Sequence, residues 1–460
     1  MEAAKRLVRR VKELTLAVFQ MDLQYFDTRF PSLFITGMRI VFWTLSIFLR
    51  MRAKISPRRA VLYVGHCYYY PWYLSRGVRE FGWRADVLNW DSNPASQIYY
   101  HGEDYKFEYE SEGHVYQHLK FYICAMLRYD IFHFSNAHAI AFGFALQHWF
   151  KTKFGDFFEI YLLKKSGKKI VYSHNACLDG ASQTAFSKWG PESVCSICIW
   201  RTVPTVCSDQ RNLDWGRFRN SVADYQCTLG GNRVDFNNDA RVHEQPEFYC
   251  QSSQFWSPEI EIPLAFQIAR KTAGTLLLYH GVGNKEDRTS ELGVNIHTSH
   301  IYYPIVDRLK GEGLPIEILS PTGIPNKEVR FIQAQSDIFL DMLTYGWFGA
   351  MAREAMMLGK PVICYIRPAW LESVREQIPA YADELPIVSA TPETIERILR
   401  ELILDPERRR LIGEQSRAFA VKWHSTAAGG RRFNEIYGRL LSGDPLLIKT
   451  TMSSRDHARA

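Results

Sequence analysis

Short apolar runs alternate with helical stretches along most of the chain, and the alternation occurs twice. The first occurrence, AVLYVGHCYYYPWYLSRGVREFGWRADVLNW from Ala60, predicts a strand, a loop, a helix and a second strand. The second begins near Thr275 with TLLLYHGVGN and continues through PIEIL and DIFLDML. Alternation of buried strands with helices is typical of parallel, doubly wound α/β sheets. The sequence therefore predicts two such units.

The chain length agrees with more than one core, because 460 residues exceed an ordinary domain of about 150 residues. We predict four segments from the pattern. They are a basic amphipathic and apolar helical segment at 1–59, a Rossmann-like domain at 60–262 with a Cys-rich insertion at about 177–230, a second Rossmann-like domain at 273–431, and a terminal helix with a flexible tail at 432–460.

The formal net charge is +7, and the cations of the first segment are clustered. Basic residues beside apolar stretches favour an anionic membrane surface. Nucleic acid is the weaker interpretation, because no nucleic-acid-binding module accompanies the charge. A solvated basic face remains an alternative. The clustered residues are Lys5, Arg6, Arg9, Arg10, Lys12, Arg50, Arg52, Lys54, Arg58 and Arg59.

The N-terminal segment shows two helical patterns and no signal peptide, which predicts a cytoplasmic location. Its first twenty residues alternate charged and apolar side chains at helical spacing. The run FPSLFITGMRIVFWTLSIFL that follows is apolar, but Arg39 interrupts it, and a membrane span needs about 20 apolar residues. We therefore favour a helix that lies in the membrane interface. A single span and a buried packing helix stay open as alternatives.

Nine cysteines in a chain without an export signal indicate a reducing compartment. Cys195, Cys198 and Cys207 form the spacing C-x2-C-x8-C, and Cys177 lies upstream. Thiolates at this spacing could bind a structural zinc ion. The alternative is that these cysteines are small buried hydrophobic residues.

The stretch YGWFGAMAREAMMLGKPVICYIRP combines a glycine-rich loop with the start of a helix. Glycines let a ligand approach the backbone, and the N-terminus of a helix favours a diphosphate. Glu354 lies about one helical turn further on, where its carboxylate could bind ribose hydroxyls. The alternative is a strand-turn-helix unit with an exposed glutamate. The predicted donor-binding residues here are Gly346, Trp347, Phe348, Gly349, Ala350 and Glu354.

From Ser336 to Ile366 the combination SDIFLDML, GWFG and EAMMLGKPVI resembles the C-terminal half of the group 1, family 4-like retaining glycosyltransferases. The stretch NKEDRTSELGVNIH and the segment that begins HNAC resemble the family more loosely. The resemblance implies the GT-B fold, in which two Rossmann-like domains face a cleft. It also implies that the second domain holds most of a nucleotide-sugar donor and that the first domain approaches the acceptor.

Residue by residue, the resemblance is incomplete at the donor site. The family's E-x7-E motif has its second glutamate at Glu354, but Gly346 occupies the first position. His297 stands where relatives often have a lysine that neutralises phosphate. A guanidinium at Arg288 could replace that charge, or Arg288 could be a surface residue. The loop residues predicted to bind donor are Asn284, Lys285, Arg288 and His297.

In the first domain, Gly65 and His66 follow a predicted strand, and a glycine at that tip resembles the family's donor-side loop. His174, in YSHNACLDG, resembles the family's histidine beside the transferred sugar. His133 and His138 lie near a third strand end and are further catalytic candidates. A lone histidine is more often a packing residue than a catalyst.

The function that the resemblance implies is glycosyl transfer from a nucleotide sugar to a glycan or lipid-linked acceptor. Retention of the anomeric configuration is expected, without a cofactor required for catalysis. The setting would be biosynthesis of a surface polysaccharide or glycoconjugate, with the protein peripheral on the inner face of the membrane and no nucleic-acid partner. The rival hypothesis is a catalytically silent GT-B module that binds glycan or protein partners at the membrane.

Overall fold

The computed structural model describes residues 2–65, 68–90, 94–107, 114–136, 138–174, 179–188, 194–229, 233–283, 285–444 and 446. Its strands form two separate sheets. The first sheet contains β1 Ala60–Val64, β2 Arg84–Asn89, β3 Tyr105–Lys106, β4 Ile131–Phe134, β5 Lys169–Ser173, β6 Tyr225–Thr228 and β7 Val242–Glu244. The second contains β8 Leu276–Tyr279, β9 Ile316–Leu319, β10 Ile338–Leu340, β11 Val362–Cys364 and β12 Val388–Ser389.

Helices precede, connect and follow these strands. Before and within the first sheet they are α1 Glu2–Gln20, α2 Leu23–Arg29, α3 Pro31–Ile55, α4 Tyr70–Arg79, α5 Pro94–Gln97, α6 His114–Arg128, α7 Phe144–Phe154, α8 Phe158–Lys165, α9 Gln183–Ser187 and α10 Asp209–Val222. Within and after the second they are α11 Lys285–Arg288, α12 Ser299–Gly311, α13 Asn326–Ala334, α14 Ala350–Met357, α15 Pro368–Gln377, α16 Pro379–Asp383, α17 Ile395–Leu404, α18 Pro406–His424 and α19 Thr426–Ser442.

Both sheets are parallel and doubly wound. The strand orders are β3-β2-β1-β4-β5-β6-β7 and β12-β11-β10-β8-β9. In each sheet the chain starts in the middle, at β1 or β8, builds outward on one side and then returns to build on the other. This arrangement confirms the predicted architecture of two doubly wound α/β domains with an N-terminal helical extension. It also creates one topological switch point per sheet, between β1 and β4 and between β8 and β10.

The N-terminal extension packs on the first domain. On α3, the side chains of Phe34, Met38, Phe42, Leu45 and Leu49 recur at helical spacing and are buried. They join the hydrophobic cluster beneath the first sheet. This one helix is long and apolar enough to cross a membrane, by length and composition, among the described residues. Of its most apolar stretch, 39% is buried inside the protein.

The Cys-rich stretch at about 177–230 differs from the insertion that we predicted. Its C-terminal half contains α10 and β6, and β6 pairs in parallel with both β5 and β7. That half is therefore part of the first sheet. This half could not be recognised from the sequence, because α10 carries many polar residues and lacks a clear apolar face, and β6 is only four residues long.

The last helix returns to the first domain. Gly77 of α4 and Gly430 of α19 approach so closely that a Cβ added to Gly430 would lie 2.4 Å from the carbonyl carbon of Gly77. Tyr437, further along α19, reaches under the first sheet, where its hydroxyl lies 3.0 Å from that of Tyr63. The chain therefore crosses between the domains twice, and the two crossings restrict how one domain can move relative to the other.

Candidate functional site

Ligands of doubly wound sheets bind beyond the carboxyl ends of the strands, at the switch point. In the second domain that point lies between the loop that follows Tyr279 and the loop that follows Leu340. In the first domain it lies between the segments that follow Val64 and Phe134. Side chains from these loops meet across the domain boundary, and the candidate site consists of the residues that they bring together.

The glycine-rich loop takes a conformation that its glycines permit. Gly346 has φ +98°, in the left-handed region that favours glycine. Gly349 caps α14, and its N–H donates to Oδ2 of Asp341 at 3.1 Å. Asp341 is buried; burial raises its pKa to about 6, although the Gly349 N–H opposes that rise. The carboxylate at the end of β10 therefore fixes the loop that leads into the helix.

A guanidinium lies against Gly346, the first position of the E-x7-E spacing that ends at Glu354. The backbone N–H of Arg367 donates to the carbonyl of Gly346 at 2.8 Å. A Cβ placed on Gly346 would lie only 2.9 Å from Nε of Arg367, so a glutamate there would displace the arginine. Arg367 also lies over the ring of Phe186, which contacts Trp347 with ring centroids 5.9 Å apart. A cation that follows β11 therefore lies against the glycine loop at this position.

Arg288 lies among tyrosines from both domains. Burial works against its charge, but Tyr68, which hydrogen-bonds it, and the nearby Tyr99 and Tyr345 outweigh burial and raise its pKa. The rings of Tyr68 and Tyr99 pack edge to face at 5.3 Å. The Tyr99 hydroxyl passes so close to Gly283 that an added Cβ would lie 2.4 Å from it. We call Tyr68, Tyr99, Arg288 and Tyr345 the arginine-tyrosine cluster.

His297 lies beside this cluster as a neutral imidazole. Burial lowers its pKa to about 3, and the positive charge of Arg288 adds to the effect. Its Nδ1 is buried and has no hydrogen-bond partner among the described residues. Lys285 points toward the ring of Tyr303 at 5.7 Å. Asn284, also predicted to bind donor, lies outside the described residues.

Glu354 is buried at the contact between the domains and is only 3% exposed. Its carboxylate accepts hydrogen bonds from Asn326 Nδ2 at 2.9 Å and Gln333 Nε2 at 2.6 Å. A third donor, the Tyr69 hydroxyl at 2.9 Å, comes from the first domain. Burial raises the pKa of Glu354, and these hydrogen bonds oppose the rise. The ribose role that we predict for Glu354 stays a prediction, and the structure gives its carboxylate three protein partners.

A second polar bridge joins the domains next to Glu354. His101 Nε2 lies 2.7 Å from Oδ1 of Asn326, and its Nδ1 lies 2.7 Å from the hydroxyl of Tyr73. The backbone N–H of Asn326 donates to the carbonyl of Ile98 at 2.8 Å. Burial lowers the pKa of His101 to about 3, so the ring bridges the domains in its neutral form.

The candidate catalytic histidines of the first domain are occupied by protein contacts. His133 is fully buried, with Nδ1 2.7 Å from the Tyr437 hydroxyl and Nε2 2.5 Å from Ser173 Oγ. His174 is 5% exposed and lies 3.2 Å from Gln226 Oε1 through Nε2, while Nδ1 faces Arg219. Burial lowers the pKa of both rings. Their predicted catalytic roles remain predictions.

The other first-domain candidates lie near the β1 and β4 ends. Gly65 has φ +80°, and an added Cβ would lie 2.3 Å from Oδ1 of Asn136, so it permits a close approach between the two strand ends. His138 is half-buried, has φ +53° and stacks on Trp215 at 5.5 Å. His66 lies outside the described residues.

The zinc hypothesis gains no support from the described part of the chain. Among those residues, no three His, Cys, Asp or Glu side chains converge as metal ligands would. Cys195, Cys198 and Cys207 are half-buried, and none forms a disulfide with another described cysteine. Cys177, the fourth predicted ligand, lies outside the described residues, and the zinc site stays a prediction.

Sequence reasoning missed the aromatic half of the site. Tyr68 and Tyr99 come from the first domain, while Tyr345 precedes the glycine loop. Tyrosines are common throughout this chain, which has 24 of them, so no local pattern singled these out. Arg367 also escaped notice, although its place directly after a predicted strand was a usable signal.

Several solved structures are similar to this chain at low sequence identity. A scan against protein-family models and a search of the curated proteins each found no match. Among solved structures, the chain is similar to a glycosyltransferase from Rickettsia africae, at 11% identity and TM-score 0.47, covering 84% of this chain and 99% of that one. It is similar to sucrose-phosphate synthase from Thermosynechococcus elongatus, at 13% identity and TM-score 0.48, with coverage of 84% and 99%. It is also similar to Anabaena HepE in complex with UDP-glucose, at 14% identity and TM-score 0.49, with coverage of 82% and 99%.

Proposed function

We propose that this chain is a glycosyltransferase that moves a sugar from a nucleotide-sugar donor to a glycan or lipid-linked acceptor. The observation that carries the proposal is the arginine-tyrosine cluster. It places Arg288, held by Tyr68 of the first domain, at the switch point of the second sheet. A cation in a largely desolvated cleft suits a diphosphate, because Arg binds phosphate oxygens through two parallel N–H groups.

The same residues suggest how the reaction would be assisted. Negative charge develops on the leaving diphosphate in the transition state, and Arg288 together with the N-terminus of α14 would stabilise that charge. Tyr99 and Tyr345 would exclude water from the bond being broken, and the two domains close around it. Arg367 would supply a second cation where relatives have a carboxylate. Retention at the anomeric carbon is part of the proposal.

We place the reaction at a membrane surface, on the cytoplasmic side. Exposed cations on the N-terminal helices support this, with Arg9, Arg10, Arg29, Arg50 and Lys54 all on the surface. Exposed apolar side chains on α3 support it further, because Leu33 is 70% and Trp43 is 59% exposed. Apolar side chains interspersed with cations are typical of helices that lie in the interface.

The direct test is nucleotide-sugar binding by the Arg288→Ala variant. A bound donor stabilises the folded protein by mass action, so a panel of nucleotide sugars should raise the melting temperature of the wild type. We expect Arg288→Ala to lose most of that shift, and Arg288→Lys to recover only part of it because lysine lacks the bidentate geometry. The matched control is Arg308→Ala, which removes an exposed arginine from the same domain. An undiminished shift in Arg288→Ala would remove the observation on which the proposal rests.

A silent GT-B module remains the second candidate, because the neutral His297 and Gly346 both lack the charge found in relatives. The two candidates differ in turnover. Transfer of a labelled sugar to a membrane lipid extract, with release of the nucleoside diphosphate, supports the hypothesis of an active enzyme. Donor binding without transfer or hydrolysis supports the binding module. For an active enzyme, the anomeric configuration of the first-formed product, read by proton NMR, tests retention.

A further inference from the structure

An apolar groove runs along the outer flank of the first domain, between α3 and the helices α7 and α8. Its volume is ≈ 610 Å³, which lies within the range of small-molecule sites. Phe42, Phe154, Phe158 and Leu162 contribute to its lining, and Phe42 contacts both Phe154 and Phe158 through its ring. We call this the flank groove, and it lies apart from the cleft that holds the arginine-tyrosine cluster.

The walls of the flank groove expose large apolar side chains to solvent. Ile40 is 50% exposed, Trp43 is 59% exposed, and Tyr161 on the opposite wall is 51% exposed. Ile40 and Trp43 share one face of α3 with Arg39 because their spacing matches the helical repeat. Contiguous apolar surface of this kind marks an interaction site in a soluble domain.

Two cations distinguish the flank groove from a general protein-docking surface. Arg39 lines it from α3, and Lys165 lines it from the end of α8. Both side chains are exposed. An apolar trough with a cation on each wall is complementary to an amphiphile that has a hydrocarbon tail and an anionic head. Trp43 and Tyr161 are also residue types that concentrate at the level of lipid headgroups.

We propose that the flank groove binds one acyl chain of an anionic membrane phospholipid, with Arg39 and Lys165 at the headgroup phosphate. This rests on the membrane association included in the proposed function, and it assigns a defined lipid site to that association. Burial of the chain in the groove supplies the apolar contact, and the two cations supply the preference for anionic lipid. The site is separate from the donor cleft, so sugar transfer and lipid binding can be measured independently.

The decisive experiment is quenching of Trp43 fluorescence by lipid bromine atoms. Full-length protein is mixed with phosphatidylcholine vesicles that contain phosphatidylglycerol brominated along its acyl chains. The chain has 12 tryptophans, so the Trp43→Phe variant identifies the contribution of Trp43. We expect vesicle-bound wild type to be quenched and Trp43→Phe to lose most of that quenching. Vesicle binding without Trp43-dependent quenching would contradict the lipid site in the flank groove but agree with membrane association. Absence of vesicle binding would contradict both the lipid site and membrane association.

Substitutions in the flank groove supply a second readout. Ile40→Glu should weaken vesicle binding on the order of tenfold, because it places a charge on the apolar wall. The matched control is Leu404→Glu on α17 of the second domain, a leucine that is 64% exposed and should leave vesicle binding unchanged. Equal losses in the two variants would contradict the proposal.

The cations and the competing occupant have their own tests. Arg39→Gln combined with Lys165→Gln should reduce the preference for phosphatidylglycerol over phosphatidylcholine severalfold; an unchanged preference would contradict their role.

A second copy of the chain is the competing occupant. A dimer seen by sedimentation that Ile40→Glu dissociates, while vesicle binding stays intact, would assign the groove to that copy and overturn the lipid site.

Discussion

Two buried carboxylates, one in the cleft and one on the flank of the first domain, are handled in opposite ways. Glu354 in the cleft is 3% exposed and accepts hydrogen bonds from Tyr69, Asn326 and Gln333. Glu159 on α8 is 0% exposed, and neither of its carboxylate oxygens accepts a hydrogen bond from another described residue. Burial raises the pKa of both, and for Glu159 it reaches about 8.

The two carboxylates therefore have different roles. Glu354 belongs to a polar contact that joins the domains, whereas Glu159 is a polar group inside the core of one domain. Two of the donors around Glu354, Asn326 and Gln333, lie on α13 of the second domain, and the third, Tyr69, immediately precedes α4 of the first. The carboxylate therefore acts as a common acceptor that specifies how the domains meet. Glu159 has no such set and is held as a neutral acid at neutral pH, because ionisation without partners costs several kcal/mol in a buried site.

The largest expected effect is loss of stability in Glu354→Ala. Three buried donors would lose their acceptor, which should lower the free energy of unfolding by about 3–5 kcal/mol. Glu354→Gln keeps the volume and one acceptor oxygen and should cost less, about 1–2 kcal/mol. Urea unfolding measures both.

The control for this prediction is Glu414→Ala, on the exposed face of α18, which should change the free energy of unfolding by less than about 0.5 kcal/mol. If Glu354→Ala behaved like Glu414→Ala, the three hydrogen bonds to Glu354 would not be stabilising the folded protein. The contrast with Glu159 would then disappear.

The second-largest effect is the contribution of Glu159 to the pH dependence of the free energy of unfolding. Its pKa in the folded protein is about 8, above the ordinary value of 4.5, so the folded state binds the proton more tightly than the unfolded state does. Its contribution to stability is therefore fully present below about pH 4.5 and is lost as pH rises toward 8. Glu159→Gln removes this slope and should become more stable than wild type by about 2–4 kcal/mol at pH 8.

This comparison is made as the difference between variant and wild type at each pH, measured by urea unfolding from pH 5 to pH 8. Other titrating groups contribute equally to both proteins and cancel. Glu414→Gln, which removes an exposed carboxylate on α18 of the second domain, is the control and should leave the slope unchanged. A difference between Glu159→Gln and wild type that does not grow with pH would show that Glu159 is charged in the folded protein.

The sequence predicted the strand positions well because they depend on local patterns. β9 Ile316–Leu319 lies within the predicted run PIEIL, and β10 Ile338–Leu340 lies within the predicted run DIFLDML. The glycine loop likewise precedes a helix, as its pattern predicted, with Gly349 as the cap. Such features follow from apolar runs and glycine positions in a short stretch of chain.

The partners of the site residues could not be predicted in this way. Tyr69 and Glu354 are 285 positions apart, and their contact exists only after the domains dock. His133 has the strand-end position expected of a catalyst, but α19 returns from the far end of the chain to bond it through Tyr437. Which strand ends stay open to ligand depends on such long-range packing, for which a single sequence carries no local pattern.

A third, smaller effect is expected for Tyr69→Phe, which removes the hydroxyl contributed by the first domain. The loss should be about 1–1.5 kcal/mol, the usual net value of one buried hydrogen bond to a charged or polar acceptor. Combining it with Glu354→Gln should give less than the sum of the single losses, because the two residues share the contact. Exact additivity in urea unfolding would mean that the hydroxyl is stabilised by Gln251 instead, which lies equally close at 2.9 Å.

The smallest effect should be on the flank, where Trp43→Ala removes a large aromatic side chain. Because Trp43 is 59% exposed, the free energy of unfolding without lipid should fall by less than about 1 kcal/mol. Trp256 is the matched residue at the domain contact, fully buried, and its replacement by alanine should cost about 3–5 kcal/mol. A loss of that size in Trp43→Ala would mean that the flank is a closed core. A small loss would agree with the contrast between the two regions. The protein's own side chains fill the contact in the cleft, whereas the flank leaves apolar surface exposed for another molecule.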